Sequence, residues 1–274
     1  MYKIGWFSTG RGPGSLNLLN AIVKAIKEGE VQAEIAYVFC SREPGDAEGS
    51  DRYIQQAEDY GLNLVCCSSK KFRPHLRQEG RKDPGALNQW RLEYDREIMK
   101  RLDGQQADIN VLAGYMLVVG QEMCKKYDMV NLHPAAPDGP AGTWQEVIWQ
   151  LIEQRADRSG NMMHLVTAQL DEGPPITYVT FAMRGMGFDG LWEDLEEKRM
   201  SKSIKEIEKE PGDQNPLFLK IREEGARREI PLVIQTVRAF AEGRVQLQDQ
   251  QIIAGGKVLQ GPYCLTEDIE KQIR

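Results

Sequence analysis

Short apolar runs alternate with amphipathic stretches along the first half of the chain. The runs are almost continuously apolar, as in strands buried on both faces, whereas the stretches between them place apolar residues at helical spacing. Leu19, Ile22, Val23 and Ile26, for example, fall at i, i+3, i+4 and i+7. The pattern predicts strands at 3–9, 33–40, 62–69, 108–116 and 128–134 and helices at 16–29, 50–61 and 88–102. Such alternation predicts a parallel sheet with helices on both faces, a doubly wound α/β fold of the Rossmann-like type.

The pattern changes in the second half of the chain. A helix is predicted at 142–154, and two strands at 161–171 and 176–183 are joined by the turn DEGPP. Residues 184–215 are rich in charge and punctuated by glycine, which predicts a surface excursion that contains a helix at 191–210.

The C-terminal part predicts a helix at 221–243, in which Pro231 indicates a start or a kink, and then a β-hairpin at 244–260. No linker rich in proline, glycine or serine and no internal repeat divides the sequence. We therefore predict a single domain over 1–274: a mostly parallel α/β sheet with a C-terminal helix and β-hairpin.

Composition narrows the setting. The chain has 274 residues, 41% of them hydrophobic and 28% charged, which is ordinary for a globular protein. A net charge of −6 argues against a nucleic-acid partner, although a small basic patch for a phosphate remains compatible with it. No run reaches the length of a membrane span, the N-terminus lacks a signal-peptide layout, and the five cysteines lack metal-ligand spacing. Together these features predict a cytoplasmic protein that has no membrane partner.

The glycine-rich stretch GRGPGS (10–15) lies between the first predicted strand and the first predicted helix. Its backbone N–H groups and the helix N-terminus suit a phosphate group. The stretch lacks the Gly-Lys-Ser/Thr of a Walker loop and the spacing of the dinucleotide fingerprint. A turn that only lets the strand and the helix pack closely explains the glycines equally well, so both interpretations stay open.

Asn131 and His133 end a predicted strand and precede a proline. Residues i and i+2 of a strand point to the same side, and ligands bind at the carboxyl ends of the strands in open α/β sheets. An imidazole can move a proton near neutral pH, and a carboxamide can donate a hydrogen bond to a developing oxyanion. The pair is therefore a candidate catalytic site; the ordinary alternative is a histidine that bonds to backbone at a strand end.

Asp171 and His164 are modest signals when each is taken alone. Asp171 lies in the turn LDEGPP, where an aspartate commonly bonds its own backbone. His164 lies seven residues earlier, in an apolar strand, where a histidine is more often a satisfied core residue than a catalytic one.

Taken together, four segments resemble the folate-dependent formyltransferases, most of all those that act on glycinamide ribonucleotide. The segments are VLAGYM (111–116), VNLHP (130–134), MHLVTAQLDEGPPI (163–176) and IPLVIQTVRAFAEGRV (230–245). Their order and the spacing from His164 to Asp171 agree with that family, and the resemblance spans the chain. It implies the formyltransferase fold, and transfer of a formyl group from 10-formyltetrahydrofolate to an amine without a metal. It also implies a place in one-carbon metabolism and purine biosynthesis.

The resemblance implies roles for particular residues. Asn131, His133 and Asp171 would be the catalytic trio, with His164 in support. The half at 1–110 would bind the phosphate of the acceptor, and the half at 111–274 would bind folate and carry out catalysis. The residues that would enclose the pteridine, much of it through backbone groups, are Tyr115, Met116, Leu117, Val118, Val119, Val166, Thr167 and Ala168. The residues that would hold the phosphate are Gly10, Arg11, Gly12, Gly14 and Ser15.

Departures from the family bear on the acceptor. The glycine loop STGRGPGSLN is longer than in close relatives, and AAPDGPAGTW replaces a serine and leucines after His-Pro. Ala226 stands five residues before Pro231, where the glycinamide ribonucleotide enzymes have a glutamate that binds ribose. Glu223 and Glu224 are near that position but out of register. Glycinamide ribonucleotide is therefore the leading acceptor, and another amine, such as an amino sugar, is the alternative.

Other functions fit the same fold. A 10-formyltetrahydrofolate hydrolase would pass the formyl group to water, but such a relative usually carries an N-terminal regulatory domain, and the catalytic strand begins here at Lys3. A non-catalytic folate-binding module would not need all three residues of the trio. An acidic pI of about 5.3 and the lack of a separate basic C-terminal domain count against formyl transfer to initiator tRNA. The resemblance is also compatible with a homodimer.

Overall fold

The computed structural model describes residues 1–169, 171–185, 187–248 and 251–273. The chain divides into two compact units. The first unit consists of Met1–Asn131, His164–Pro174 and Val237–Val258, and the second of Leu132–Met163, Pro175–Thr236 and Leu259–Arg274. No helix in the described part of the chain is both long and apolar enough to cross a membrane.

Strands and helices alternate through most of the chain. The strands are β1 (Tyr2–Ser8), β2 (Ala33–Cys40), β3 (Leu64–Cys66), β4 (Ile109–Leu112), β5 (Met129–His133), β6 (Arg158–Leu165), β7 (Pro175–Ala182), β8 (Gln246–Gln248), β9 (Gln251–Ala254), β10 (Lys257–Val258) and β11 (Tyr263–Cys264). The helices are α1 (Pro13–Lys27), α2 (Glu48–Asp59), α3 (Pro74–Glu79), α4 (Pro84–Arg101), α5 (Gln121–Lys126), α6 (Trp144–Glu153), α7 (Asp189–Arg199), α8 (Ile204–Lys209), α9 (Pro216–Ala241) and α10 (Thr266–Ile273).

In the first unit, parallel strands lie side by side in the order β3-β2-β1-β4-β5. The central strand β1 is buried along five consecutive residues, which is the burial that its continuous apolar pattern predicts. One core of this unit joins Phe7 and Phe39 of the strands to Trp90 and Tyr94 of α4. The predicted α/β class with a mostly parallel sheet is confirmed.

A buried asparagine ties these strands together. Asn110 of β4 is 2% exposed; its Oδ1 accepts a hydrogen bond from the Tyr37 hydroxyl of β2 at 2.5 Å, and its Nδ2 donates to the carbonyl of Asp128 at 3.2 Å. The bond from Tyr37 passes over Gly5 of β1, where a Cβ would lie 2.0 Å from Asn110 Oδ1. Only glycine leaves room for this bond.

In the second unit, β7 lies between β6 and β11, and β11 pairs with β7 in parallel. The core of this unit gathers aromatic side chains from several elements: Trp149 of α6, Phe181 of β7, Trp192 of α7 and Phe218 of α9. Helix α6 starts at a capping box, in which Thr143 Oγ1 and the side chain of Glu146 each accept from the other residue's backbone N–H.

The prediction of a single helix at 191–210 is wrong. Two helices, α7 and α8, occupy this segment, because Ser203 caps the start of α8. Its Oγ accepts from the Glu206 N–H at 3.3 Å, and Glu206 Oε2 accepts from the Ser203 N–H at 2.8 Å. The predicted excursion also does more than cover the surface, since Trp192 and Ile207 are buried in the core of the second unit. Met186, in the same stretch, lies outside the described residues.

The strand predicted at 161–171 ends earlier in the structure than expected. Strand β6 ends at Leu165 instead of continuing to 171, because the chain turns back there. The Leu165 N–H donates to the Pro174 carbonyl at 2.9 Å, and the Val166 N–H donates to the Met129 carbonyl at 2.8 Å. The residues after Leu165 therefore form a loop at the end of the sheet.

The C-terminal part differs in its details from the sequence pattern. Helix α9 begins at Pro216 and contains Pro231, so that proline does not start a helix. The predicted hairpin is present as part of a three-stranded sheet, β8-β9-β10; residues 249–250 lie outside the described residues. A further helix, α10, follows the hairpin; it was not predicted, because its amphipathic pattern covers only eight residues. Helices α3 and α5 were not predicted either, because each has only six residues.

Gly5→Ala should destabilise the protein, because the new methyl group would collide with Asn110 and disrupt the buried bond from Tyr37. We expect denaturant unfolding to show a loss of roughly 2–4 kcal/mol in the free energy of unfolding, the sum of an overpacking term and a broken buried hydrogen bond. The control is Gly190→Ala in α7, where nothing lies within 4 Å of the new Cβ. It should be neutral or slightly stabilising. Equal stability of the Gly5 variant and the natural protein would contradict this account.

Candidate active site

The first unit contains a pocket lined by apolar side chains and four polar ones. Its apolar wall comes from the end of β4, from residues 115–119 after it, here called the pocket segment, and from the loop after β6. The lining residues are Leu112, Tyr115, Leu117, Val118, Val119, Asn131, His164, Val166, Thr167 and Asp171. A largely apolar pocket with a few convergent polar groups is the usual form of a small-molecule site.

Tight packing fixes the start of the pocket segment. Strand β4 ends at a turn in which Gly114 has φ 72, and a Cβ there would lie 2.3 Å from Ser15 Oγ, so this position requires glycine on both counts. Tyr115 is buried, and its ring packs edge-on against Phe7 and Phe39, with centroid distances of 5.9 and 6.3 Å. The tyrosine therefore anchors the segment to the core.

A buried carboxylate anchors the other end of the pocket segment. Asp95 of α4 is 3% exposed, and its Oδ2 accepts a hydrogen bond from the Gly120 N–H at 2.6 Å. Burial raises the pKa of Asp95 to about 6, and the bond from Gly120 and the charge of Arg91 offset part of that rise. Sequence analysis missed Asp95; the available signal was an acidic residue beside Trp90 and Tyr94 on the buried face of α4.

Three polar side chains meet in the pocket. Asn131 Nδ2 lies 3.2 Å from His164 Nε2, and Asp171 Oδ1 lies 3.6 Å from the same nitrogen. His164 is 2% exposed, and its Nδ1 lies 3.1 Å from the carbonyl oxygen of Leu165. Because a carbonyl only accepts, the short contact indicates that Nδ1 carries a proton, and an unprotonated Nε2 can then accept from Asn131. Protonation of Nε2 would turn this atom into a donor toward Asp171.

The loop after β6 brings Asp171 into this group. Asp171 has φ 57, in the left-handed region that aspartate tolerates better than most residues. A Cβ on Gly173 would lie 1.6 Å from the Leu165 carbonyl oxygen, so the loop closes directly onto the end of β6. Asp171 is thus a turn residue, as the ordinary interpretation expects, and it also lines the pocket.

His133 ends β5, two residues after Asn131, and belongs to the second unit, which begins at Leu132. It is 4% exposed, and its Nε2 lies 3.5 Å from the carbonyl oxygen of Pro140. Because side chains alternate along a strand, those of Asn131 and His133 point to the same side of β5.

The pocket includes most of the residues that the resemblance implies for folate. Met116 and Ala168 are exposed and are not among its lining residues, and the Met116 N–H donates to Thr9 Oγ1 at 2.9 Å. Leu170, in the loop after β6, lies outside the described residues. Sequence analysis missed Leu112, and it could not supply the direct contact between His164 and Asn131, because their separation of 33 residues carries no pattern.

The glycine loop serves packing and also leaves N–H groups open. Gly10 has φ 62, and a Cβ there would lie 2.9 Å from Tyr53, so its glycine is needed for packing. Helix α1 begins at Pro13, with Gly12 at its N-cap and no side-chain cap. The N-cap residue therefore supplies no side-chain acceptor for the first backbone N–H groups of this helix. Arg11 and Gly14 are exposed, whereas Ser15 is buried.

In the second unit, the acidic residues near Ala226 are already paired. Glu224 binds Lys220 at 2.9 Å and Arg228 at 2.7 Å, and Glu223 binds Lys220 at 3.0 Å. Ala226 lies on the same helix, α9, and offers no polar group.

Comparison with known proteins reveals relatives. The model of the formyl transferase family matches residues 12–183. A phosphoribosylglycinamide formyltransferase from Saccharomyces cerevisiae is 26% identical over 170 residues, which cover 60% of this chain and 76% of the yeast protein. A solved phosphoribosylglycinamide formyltransferase from Coxiella burnetii, 19% identical, has a TM-score of 0.63 over 96% of this chain and 99% of that one. A solved formyltetrahydrofolate deformylase from Pseudomonas syringae, 18% identical, has a TM-score of 0.56 over 92% of this chain and 65% of that one. The structural likenesses show a shared fold.

Asp95→Asn should stabilise the protein at high pH. The pKa of Asp95 is about 6 in the folded state, above its ordinary value of 3.8. The stability that the protonated carboxyl contributes is therefore complete below pH 3.8 and is lost as the pH rises through about 6. Above pH 6 the buried charge costs on the order of 3 kcal/mol, whereas an amide can still accept from Gly120 without that charge. We therefore expect the variant to gain about 1–3 kcal/mol in the free energy of unfolding at pH 8 and much less at pH 4.

The control for this measurement is Asp103→Asn, which changes an exposed carboxylate just after α4. It should show no such pH-dependent gain. A gain for Asp95→Asn that is equal at pH 4 and pH 8 would contradict the role of the buried charge.

Proposed function

The chain belongs to the formyl transferase family, and we propose that this formyltransferase carries a formyl group from 10-formyltetrahydrofolate to the amine of a small phosphorylated acceptor. The observation that carries the proposal is the meeting of Asn131, His164 and Asp171 in an apolar pocket of the first unit. Glycinamide ribonucleotide, the substrate in the name of the yeast relative, is the leading acceptor, which would place the enzyme in purine biosynthesis.

The pocket suits the pteridine of the folate. A flat heteroaromatic ring needs apolar walls above and below it and a few polar groups at its edge. Leu117, Val118 and Val166 supply apolar surface, and Tyr115 and Asp95 hold the two ends of the pocket segment in place. Backbone groups of the pocket segment and of the loop after β6 would pair with the polar edge of the ring. Met116 and Ala168 would contribute through their backbone alone, since their side chains are exposed.

The proposed reaction needs one oxyanion donor and one proton path. The acceptor nitrogen attacks the formyl carbon, the carbonyl oxygen becomes an oxyanion, and the bond from that carbon to the folate nitrogen then breaks. A proton leaves the attacking amine, and the folate nitrogen gains one, so charge balances. Asn131 would donate to the oxyanion, and one such donor is worth on the order of 10²–10³-fold in rate.

His164 would serve as a positioning residue for Asn131. With Nδ1 bound to the Leu165 carbonyl, Nε2 accepts one Asn131 N–H and so fixes the rotation of the carboxamide. The second N–H of that carboxamide then points in a defined direction, which an oxyanion donor requires.

His133 and Asp171 would manage the proton. By the resemblance to the family, His133 would polarise the formyl oxygen and exchange a proton with the reacting group. Asp171 would stabilise the positive charge on an imidazole or hold the water that relays the proton. Neither role requires a metal.

The acceptor phosphate would bind at the glycine loop. The uncapped start of α1 offers backbone donors, and Arg11 is exposed beside it for charge-assisted pairing. The sugar, however, has no glutamate to bind at position 226, and Glu223 and Glu224 are held by Lys220 and Arg228. We therefore propose that the sugar of the acceptor is held differently from that in the glycinamide ribonucleotide enzymes.

Hydrolysis is the second candidate function, because a formyltetrahydrofolate deformylase shares the fold. Water would then replace the amine and release formate. The ratio of formylated amine to formate in a single assay separates the two functions. We further infer a cytoplasmic location, since all five cysteines are unpaired thiols of the kind that persist in reducing compartments.

Changes in the trio should abolish most of the activity. We expect His133→Ala, Asp171→Asn and Asn131→Ala each to lower kcat by about 10²-fold or more, because each removes a proton-handling or oxyanion-side group. Formation of tetrahydrofolate measures the rate, and a thermal shift with a folate analogue checks that the pocket is intact. The control is Asp59→Asn at the end of α2, which is exposed and should leave the rate unchanged. Near-normal turnover by His133→Ala would refute the proposed mechanism.

Arg11→Ala should affect acceptor binding more than chemistry. A phosphate contact far from the reacting carbon stabilises the ground state and the transition state equally, so the acceptor KM should rise far more than kcat falls. Steady-state kinetics with the natural protein also tests glycinamide ribonucleotide as the acceptor: kcat/KM in the ordinary enzyme range of about 10⁴ M⁻¹s⁻¹ or above supports it, whereas a lower value favours an acceptor with a different sugar or none. A value inside that range would mean that the missing glutamate is compensated and that the sugar is not held differently.

A further inference from the structure

A cleft in the first unit collects positive charge outside the pocket. Its lining includes Lys70, Arg77 and Arg81, all close to helix α3. Arg42, which follows the end of β2, lies next to this group. The loop that carries Lys70 follows β3, so Arg42 and Lys70 lie just beyond the carboxyl ends of two neighbouring parallel strands.

Two of these arginines converge on one residue. Arg42 Nη1 donates to Ser69 Oγ at 2.5 Å and to the Ser41 carbonyl at 2.9 Å. Arg77 Nη1 donates to the Ser69 carbonyl at 2.8 Å. Each guanidinium is therefore fixed through one nitrogen, and within the described chain Nε and Nη2 of both have no hydrogen-bond partner. The remaining N–H groups of each guanidinium can therefore donate two parallel hydrogen bonds to an anion.

No carboxylate of the described residues forms an ion pair with this cluster of Arg42, Lys70, Arg77 and Arg81. The two carboxylates that reach the same loop, Glu43 and Asp46, both bind Lys71, at 3.5 and 3.0 Å. Like charges held together without a counter-ion raise the free energy of the protein, so a bound anion would relieve that repulsion.

Arg77 is held in place as a binding residue would be. Its guanidinium lies over the ring of Trp90, 5.1 Å from the centroid, and Trp90 Nε1 donates to the Phe72 carbonyl at 2.9 Å. Partial burial, and then the nearby charges of Arg42 and Arg81, lower the pKa of Arg77. A fixed, partly desolvated guanidinium binds an anion with little loss of side-chain freedom.

A row of hydroxyl groups connects this cluster to the candidate active site. Ser41 Oγ donates to Thr9 Oγ1 at 3.0 Å, and the Ser69 N–H donates to the Ser41 carbonyl at 3.1 Å. Thr9 belongs to the glycine loop, and its Oγ1 accepts from the Met116 N–H of the pocket segment. Ser69, on which Arg42 and Arg77 converge, follows β3, and β3 lies two strand spacings, or roughly 10 Å, from β1 and its glycine loop along the same edge of the sheet.

We propose that Arg42, Lys70, Arg77 and Arg81 form a second anion site, which binds a phosphate or carboxylate group. Two sources share this chemistry. The group is either the far end of the acceptor, whose first phosphate would bind at the glycine loop, or a separate small anion. The site itself does not depend on the proposed reaction; only the first source does.

Binding of inorganic phosphate tests the site without any catalytic assay. In an Arg11→Ala background, which weakens the glycine loop, calorimetric titration should still detect phosphate binding. Arg77→Lys, which keeps the charge but loses the planar fork, and Arg81→Gln, which changes an exposed side chain, should each weaken it about tenfold or more. The matched control is Arg96→Gln on α4, an exposed arginine paired with Glu122, which should bind phosphate as before. Unfolding midpoints show that each variant is folded.

Two results would overturn the proposal: no phosphate binding in the Arg11→Ala background at millimolar concentrations, or equal binding by Arg81→Gln, Arg77→Lys and the control. Both can be observed whether or not the enzyme transfers formyl groups. The source is then decided kinetically. If the anion belongs to the acceptor, phosphate competes with the acceptor, and Arg81→Gln raises its KM about tenfold with kcat unchanged. If the anion is separate, the acceptor KM stays as it was while the phosphate affinity falls.

Discussion

The buried side chain of Asn110 holds the first unit in register. It accepts from Tyr37 on one side and donates to Asp128 on the other, so one asparagine links β2, across β1, to β4 and the start of β5. A buried amide costs several kcal/mol unless its partners are present, and here both ends have one. Any slip between these strands would leave polar atoms unpaired in the core. The network therefore specifies one register, and Gly5 is the residue that makes room for it.

That register determines the chemistry, because it sets which residues reach the carboxyl edge of the sheet together. Thr9, Ser41 and Ser69 follow β1, β2 and β3, and their hydrogen bonds connect neighbouring strand ends. The pocket segment follows β4, and Asn131 lies near the end of β5. In open α/β sheets this edge is the binding edge, since the strands end there and the loops are free to vary. Fixing the sheet fixes the positions from which each loop starts.

Several charged groups near this edge raise the free energy of the folded protein. Asp95 is buried, and its raised pKa reflects the desolvation of its charged form. Arg42 and Arg77 are close enough to repel each other. Elsewhere in the described chain, exposed arginines commonly pair with carboxylates, as Arg96 does with Glu122 and Arg155 with Glu196. Such costs concentrate where a protein binds or positions a ligand, because a preorganised charge loses little when the ligand arrives.

The sequence by itself determined the class of the fold and pointed to residues of the candidate site. Continuous apolar runs and helical spacing specify strands and helices locally, so β1, β2, α1 and α4 could be predicted within a few residues. The motifs around Asn131, His133 and Asp171 were visible because strand alternation and turn chemistry are local as well. Local pattern failed where a side chain competes with it, as at Ser203, whose cap divides one predicted helix into two.

Only the tertiary structure decided which distant residues meet. Asn131 and His164 are 33 residues apart, and Asp95 and Gly120 are 25 apart, so neither contact leaves a periodic trace. Arg42 and Arg77 belong to different elements, and their convergence on Ser69 depends on the pairing of β2 with β3. The physical reason is the same each time. Local sequence sets the backbone geometry of a few neighbouring residues, whereas a contact across the sheet depends on the order and register in which the strands pair.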